Sequence, residues 1–336
     1  SPNPKGFPFS GVKGLPNEND WGVIPVADKE LDDVKTVDFA VRFLKSKQDS
    51  PFFLACGLFR PHLPWYAPRR FFDLYPLDKV VVPKKFEEDL DDVPEIGKSF
   101  AAARRSDLNK IEKQGSIIRA VQAYLASISY ADEQLGRILD VLESSEYNSN
   151  TVIIFWSDHG WHLGEKRHWH KSTLWEESTR IPLIIAVPQL KPDVCNQPVS
   201  LLDLYPTLME LCAIKGGHEF DGLSLMPQLR SAETKRNPAV IEFRKGNAAV
   251  RSERWRYIRY SDGSEELYDH KTDSYEWKNL ASKKKYKTVK QNLSEWLPKQ
   301  WAESALSKNA FRFDPDSYSW INKKTGKRYF GSNSDN

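Results

Sequence analysis

Cysteine is scarce in this 336-residue chain: Cys56, Cys195 and Cys212 are the only three, which gives neither a disulfide framework nor paired metal-ligand spacing. Neither sign of charge is in excess. Lysine and arginine number 49 against 46 acidic residues, a formal net charge of +3, so there is no basic field for nucleic acid and no acidic tail. An anionic substrate has to be held by local groups. Long apolar runs are also missing. The longest, residues 51–59 and 181–188, have strand length, far short of the roughly 20 residues that span a bilayer. Residues 1–21 are rich in proline, glycine and asparagine and lack the charged and apolar regions of a signal peptide. No internal repeat of fixed period is evident. What is plentiful is core material: 40% of residues are hydrophobic and 12% aromatic, enough for a large core or two domains.

The apolar residues then divide the chain. Val34, Val37, Ala40, Val41 and Leu44 recur at helical spacing, and Ser50-Pro51 breaks that pattern before the apolar run Phe52-Phe53-Leu54-Ala55-Cys56. This reads as helix, break, buried strand. Residues 77–115 are polar, contain proline and show little periodicity. From Ile117 to Leu142 apolar residues fall at i, i+3 and i+4, which predicts a long amphipathic helix of about seven turns. After the turn Tyr147-Asn148-Ser149-Asn150, the runs 151–156 and 180–188 read as strands covered on both faces. Residues 201–212 read as a helix with an early proline. The expected fold is α/β, with a mostly parallel sheet between helix layers. From residue 244 the character changes to short alternating strands, then a helix near residues 286–301. A hairpin closes the chain, with Ser319-Trp320-Ile321 facing Arg328-Tyr329-Phe330 across Thr325-Gly326. The expected division is therefore an α/β portion, residues 1–243, and an antiparallel α+β subdomain, residues 244–336.

Chemistry concentrates where the strand at 151–156 ends, because ligands of open α/β sheets bind beyond the carboxyl ends of strands. Asp158 offers a hard oxygen suited to calcium or magnesium, and His159 a nitrogen or a hydrogen-bond donor. Four of the seven histidines, His159, His162, His168 and His170, lie in this stretch with Glu165, Lys166, Arg167 and Lys171. Such density points to an active-site loop. The plainer alternative is that Asp158 caps a helix and the histidines are solvated. A second constellation is Arg60-Pro61-His62-Leu63-Pro64-Trp65, where two prolines stiffen the chain around one imidazole. His62 there is either a site residue or a packed loop residue. Both segments follow strands of the same inferred sheet, so both can face one pocket.

Taken in order, these motifs resemble the sulfatase family of the alkaline phosphatase superfamily, closest to its iduronate-2-sulfatase-like branch. The matching residues are Arg60 to Trp65, Ser127-Ile128-Ser129-Tyr130-Ala131-Asp132, Ser157 through Lys171, Arg180-Ile181-Pro182-Leu183, Glu266-Leu267-Tyr268-Asp269 and Glu276-Trp277-Lys278-Asn279-Leu280. The resemblance runs from about Pro51 to Leu280. It implies an alkaline-phosphatase-like fold and an extracytoplasmic sulfuric ester hydrolase acting on a sulfated carbohydrate, such as a glycosaminoglycan. It assigns Asp158 and His159 to a calcium site, magnesium being the lesser alternative, and His62 and Lys171 to contacts with the sulfate or its leaving oxygen. A cation and a lysine suit the charge on a sulfate's nonbridging oxygens, and an imidazole suits protonation of the leaving alkoxide. Trp65, Trp161, Arg167 and His170 are candidate substrate contacts, with Arg60, Tyr66, Trp169 and Trp175 nearby. Each of these is individually also explained by ordinary packing or loop solubility.

One departure is large. The family's formylglycine arises from a C/S-x-P-x-R motif, which this sequence lacks, as it lacks two further acidic metal ligands. Cys56-Gly57-Leu58-Phe59-Arg60 has the spacing, but Leu58 replaces the proline, and Cys56 reads as a small core residue. The expectation is that an N-terminal segment or chain supplies the nucleophile, the other metal ligands and further strands, and that this chain alone is inactive. Two other functions stay open: a phosphate or phosphonate ester hydrolase of the same superfamily, and a noncatalytic sulfatase-like glycan-binding protein.

Overall fold

The apolar spacing from residue 117 becomes a single 27-residue α-helix, Ile117–Glu143, in the computed structural model, which describes residues 7–216, 219–303 and 310–330. One face buries Ala120, Val121, Ala123, Ala126, Ser127 and Tyr130. Such small side chains let neighbours approach closely, and both the helix Asp32–Lys45 and the strand Trp65–Ala67 pack there. The helix stops where Ser144 and Ser145 donate their hydroxyls back to the carbonyls of Asp140 (2.9 Å) and Leu142 (2.7 Å), adding to the backbone N–H bonds that those carbonyls already accept. Trp65 is fully buried in this core, a burial worth on the order of 3 kcal/mol.

The strands are realised in a different way from the pattern. Ile153–Trp156 pairs with Leu183–Ala186, and the two run antiparallel, Ile154 opposite Ile185. Among the described residues, the parallel ladder joins Trp21–Val23 to Trp65–Ala67. The expected buried strand at residues 52–56 forms no ladder among the described residues. It runs extended with side chains alternately exposed and half-buried, and Phe53 is 78% exposed. Its far end is held by the Asp33 carboxylate, which accepts from the backbone N–H of Phe59 (2.7 Å) and Arg60 (3.2 Å). The architecture is mixed α/β, as expected, but the sheet read as mostly parallel is present here as separate short ladders. A run of β-branched residues specifies extended backbone, and only a neighbouring strand makes it a sheet.

Residues 77–115, which show little periodicity, contain two helices, Glu95–Ala102 and Arg105–Lys113. Their buried apolar side chains, Phe100 and Ala101 in one and Leu108 and Ile111 in the other, are too few among the charges to register as a 3.6-residue pattern. A four-stranded antiparallel meander follows: Ala239–Glu242, Ala248–Arg251, Trp255–Arg259 and Glu265–Asp269. Its first strand lies ahead of residue 244, where the change of character was placed. Ala248, Ala249 and Val250 are fully buried because both faces of the sheet are covered. One face meets Phe100 and Trp175, and the other meets Leu293 and Leu297. The helix expected at residues 286–301 is Lys287–Ser294. The closing hairpin forms in the expected register, and Phe311–Asp314 adds a third strand.

Candidate active site

Beyond the strand Ile153–Trp156 the backbone folds tightly against its own return path. Gly160 N–H donates to the Ser178 carbonyl at 2.9 Å, and a Cβ at Gly160 would lie 2.1 Å from the carbonyl oxygen of Glu177. Only glycine fits so close an approach. The next residues form a small hairpin in which His162–Leu163 pairs antiparallel with Trp169–His170, His162 opposite His170. That hairpin brings residue 171 back beside residue 159. Its tip holds Lys166 and Arg167 at φ 52° and 49°, a conformation that persists only where surrounding contacts impose it. Here they do. The buried Lys166 ammonium donates to Asp89 (2.6 Å) and to the Glu276 carbonyl, and Arg167 pairs with Glu112 at 3.2 Å.

At the centre, the Lys171 ammonium donates to Nε2 of His159 (2.6 Å) and to Nε2 of His62 (3.2 Å). Both imidazoles are oriented from behind. Nδ1–H of His62 donates to the Leu63 carbonyl (2.7 Å), and Nδ1–H of His159 to the Gly160 carbonyl (2.8 Å). With each Nδ1 donating, each Nε2 presents a lone pair to the lysine. Burial pushes the His159 imidazole below its ordinary pKa, which keeps that lone pair available near neutrality. Asp158 is largely exposed, its carboxylate 3.7 Å from His159 Nε2. The arrangement joins one cation, two oriented imidazoles and one open carboxylate.

The sequence candidates divide on geometry. His62, Asp158, His159 and Lys171 converge. Trp161 lies beneath them, its ring 6.4 Å from both His62 and His159, and its indole N–H is buried with no hydrogen-bond partner among the described residues. Trp65 does not face the site as a sugar platform. It is wholly buried, stands 5.7 Å from Trp161 and donates its indole N–H to the Pro61 carbonyl at 2.9 Å. It therefore braces the turn that carries His62. His170 packs on Trp161 at 4.7 Å with its Nε2 3.5 Å from Asp107, mostly buried rather than free to bind an anion. Arg167 is half-buried and already ion-paired with Glu112. Of the flanking aromatics, Trp169 and Trp175 are also buried. Cys56 is half-buried and outside the core clusters, unlike the core residue expected. Burial, aided by Asp33, pushes its thiol pKa up, the opposite of what an activated nucleophile needs.

Sequence inspection missed the network that fixes this loop from the C-terminal side. Arg256, fully buried, pairs with Glu176 and with Glu276 (2.6 Å), and Arg251 adds a second contact to Glu176 (3.0 Å). Burial alone would push the Glu176 carboxyl up, yet Arg256 and Arg251 hold it at about 2. Glu176, His270 and Glu276 have metal-ligand proximity, but the two guanidinium groups already supply the positive charge there. Nearby, Glu266 accepts from Trp175 Nε1 (2.8 Å) and from the hydroxyls of Tyr260 and Tyr268. No local motif announces how this network reaches the loop, because Arg251 and Arg256 lie 75 and 80 residues from Glu176, and Glu266 lies 91 from Trp175.

Calcium takes six to eight oxygen ligands, and among the described residues the site offers one open carboxylate, Asp158, with a neighbouring imidazole. The donor type fits, but the ligand number does not. These residues alone do not make a calcium centre.

Within this mixed α/β fold, two loops distant in sequence bring together a lysine, two histidines and an aspartate, a polar cluster suited to an anionic ligand. The sulfatase family profile matches residues 3–214, and the profile described as N-sulphoglucosamine sulphohydrolase, C-terminal, matches residues 164–303. The chain belongs to the sulfatase family. It is 38% identical to a sulfatase of Formosa agariphila over 88% of this chain and 59% of that protein. It is 35% identical to iduronate 2-sulfatase of Homo sapiens over 49% of this chain and 32% of that protein. Among solved structures, the phosphonate monoester hydrolase of Silicibacter pomeroyi superposes with a TM-score of 0.71 at 22% identity, covering 88% of this chain and 63% of that one, a likeness of fold. The chain thus spans about three fifths of the Formosa relative and a third of the human one.

Proposed function

We propose that this chain carries the sulfate-binding half of a sulfuric ester hydrolase whose substrate is a sulfated carbohydrate. The observation that carries the proposal is the Lys171 ammonium held between the Nε2 atoms of His62 and His159. A fixed ammonium suits the nonbridging oxygens of a sulfate ester, and it acts most strongly where water is excluded. Lys171 and His62 together hold one transferable proton. When the ester S–O bond breaks, its electron pair goes to the leaving oxygen, and that oxygen takes the proton from the pair. His159 orients Lys171 from the other side. The buried, unpartnered indole N–H of Trp161 is a donor awaiting an acceptor. Asp158, together with ligands from outside this chain, would help hold a calcium ion, which would supply Lewis-acid chemistry there.

The reading includes an upstream segment that contributes the formylglycine and the remaining metal ligands. Two features support it: the length relation to the relatives, and the apolar surface left open on strand residues Trp156 and Ile184 and on the extended Phe53, respectively 46%, 60% and 78% exposed. Large apolar side chains left open like this are ordinarily covered by another segment. An extracytoplasmic location belongs to the same proposal. No helix among the described residues is long and apolar enough to cross a membrane.

The test is sulfate release by the full-length gene product, first from 4-nitrophenyl sulfate and then from sulfated oligosaccharides, with and without a calcium chelator. Calcium-dependent release is expected. No release once formylglycine has been confirmed by mass spectrometry overturns the hydrolase reading, and preferential phosphate release from 4-nitrophenyl phosphate replaces it with a phosphoesterase.

A further inference from the structure

We propose that the closing three-stranded sheet is a second binding site, an aromatic and basic face that holds an anionic polysaccharide apart from the catalytic loop. The sheet comprises Phe311–Asp314, Ser319–Asn322 and Arg328–Phe330, beyond residue 303, where both family profiles have ended. Its register sets Phe313 opposite Trp320 and Trp320 opposite Tyr329. Residues directly opposite share a face, so three rings cross the sheet in a row spanning about 10 Å.

The two faces are built in an unexpected sense. On one, Arg328 donates to Asp314 (2.7 Å) and to the hydroxyls of Ser317 (2.9 Å) and Ser319 (3.3 Å), so the strands are tied together by polar contacts. Ser319 and Ile321 are buried on that side. The row of rings is open to solvent: Trp320 is 52% exposed, and Phe313 and Tyr329 are similarly exposed, while Phe330 is exposed on the opposite face. Trp320 and Phe313 lie 5.1 Å apart, which stiffens the row. A small sheet ordinarily turns its apolar face inward, and an exposed aromatic row marks a contact surface.

Charge selects the occupant. Residues 310–330 contain Arg312, Lys323, Lys324, Lys327 and Arg328 against Asp314 and Asp316, an excess of three positive charges; Arg312 and Arg328 lie on the face opposite the rings, where Arg328 neutralises Asp314. The Lys327 ammonium lies 5.2 Å from the centre of the Tyr329 ring, so cation and ring share one surface. Rings that stack on the apolar faces of sugars, flanked by lysines for sulfate or carboxylate groups, fit a polyanionic sugar chain. Nucleic acid fits less well, because the chain as a whole is charge-balanced. The choice of a sulfated polymer rests on the proposed hydrolase reading, and the experiment separates the two.

The experiment is affinity electrophoresis of the full-length gene product in gels containing dextran sulfate or unsulfated dextran, with sulfate release from 4-nitrophenyl sulfate measured on the same samples. Dextran sulfate should retard the wild type. The double variant Trp320→Ala, Tyr329→Ala should bind about tenfold more weakly with unchanged release, and Trp320→Phe, Tyr329→Phe should recover most of the retardation. Equal retardation of the alanine variant, or failure of the phenylalanine variant to recover it, overturns the site. Tighter retention by oligothymidylate than by dextran sulfate reassigns it to nucleic acid. A drop in sedimentation coefficient from dimer to monomer in the alanine variant reassigns it to self-association. Retardation that follows this pattern without any sulfate release leaves the second site standing and removes only the hydrolase reading.

Discussion

The Lys171 ammonium donates to His159 Nε2 across 2.6 Å, although twelve residues of chain separate them. The hairpin register that sets His162 opposite His170 closes that distance, and the same ammonium reaches His62 on a separate segment at 3.2 Å.

Because Lys171 joins the two imidazoles, its removal should be felt in turnover. In the full-length protein, Lys171→Ala is expected to lower kcat for 4-nitrophenyl sulfate by about 100-fold or more. His62→Ala should lower it by a comparable factor through lost proton transfer. Steady-state kinetics on both variants checks this, and a change confined to KM would assign the pair to uniform binding instead.

Gly160 packs against the Glu177 carbonyl with no room for a methyl group. Gly160→Ala should therefore destabilise the fold by about 2 kcal/mol or more and displace His159 with it. Thermal unfolding gives the first effect and sulfate release the second. A melting temperature equal to the wild type's would show that the backbone relaxes freely there.

Arg256 neutralises two buried carboxylates, Glu176 and Glu276. Its replacement by methionine should cost about 3–5 kcal/mol, the usual consequence of leaving buried charge unpaired. Adding Glu176→Gln to that variant should return part of the loss. Denaturant titration of the single and double variants measures the coupling, and strict additivity would refute a shared network.

The Glu177 carboxyl is pushed up to about 7, first by burial and then by Glu165. Its unfolded value is about 4.3, so the folded protein binds the extra proton between these values, and stability falls as pH rises from about 4.3 to 7. Glu177→Gln removes that dependence. The variant should match the wild type near pH 4 and exceed it by about 1–2 kcal/mol above pH 7, a figure discounted for the group's partial exposure. Unfolding curves at the two pH values decide, and an advantage that is largest at low pH would reverse the sign and sink the assignment.

Much of the secondary structure was legible because it is local. Apolar positions recurring at i, i+3 and i+4 left little choice but the helix Ile117–Glu143. The turn residues around Thr325-Gly326 set the closing hairpin, where Gly326 takes φ 69° and the Asn322 side chain accepts from Lys324 N–H (2.9 Å). The same reasoning overreached at residues 52–56, where a continuous apolar run, read as a buried strand, forms no ladder among the described residues. It passed over Glu95–Ala102 and Arg105–Lys113, which bury only a few side chains each.

By itself the sequence narrowed the candidates for the chemistry. A dense polar loop after an apolar strand, and a histidine set between prolines, limit the candidates to a handful, because carboxylate, imidazole and ammonium groups are costly to gather without use. Tertiary structure decided which of those candidates meet. It joined Lys171 to His62 and His159, and it turned Trp65 and His170 inward as supports. It also tied the loop to the C-terminal sheet through Arg256. These outcomes depend on contacts between segments up to 110 residues apart, and such contacts follow from packing and charge pairing in three dimensions, which no local pattern encodes.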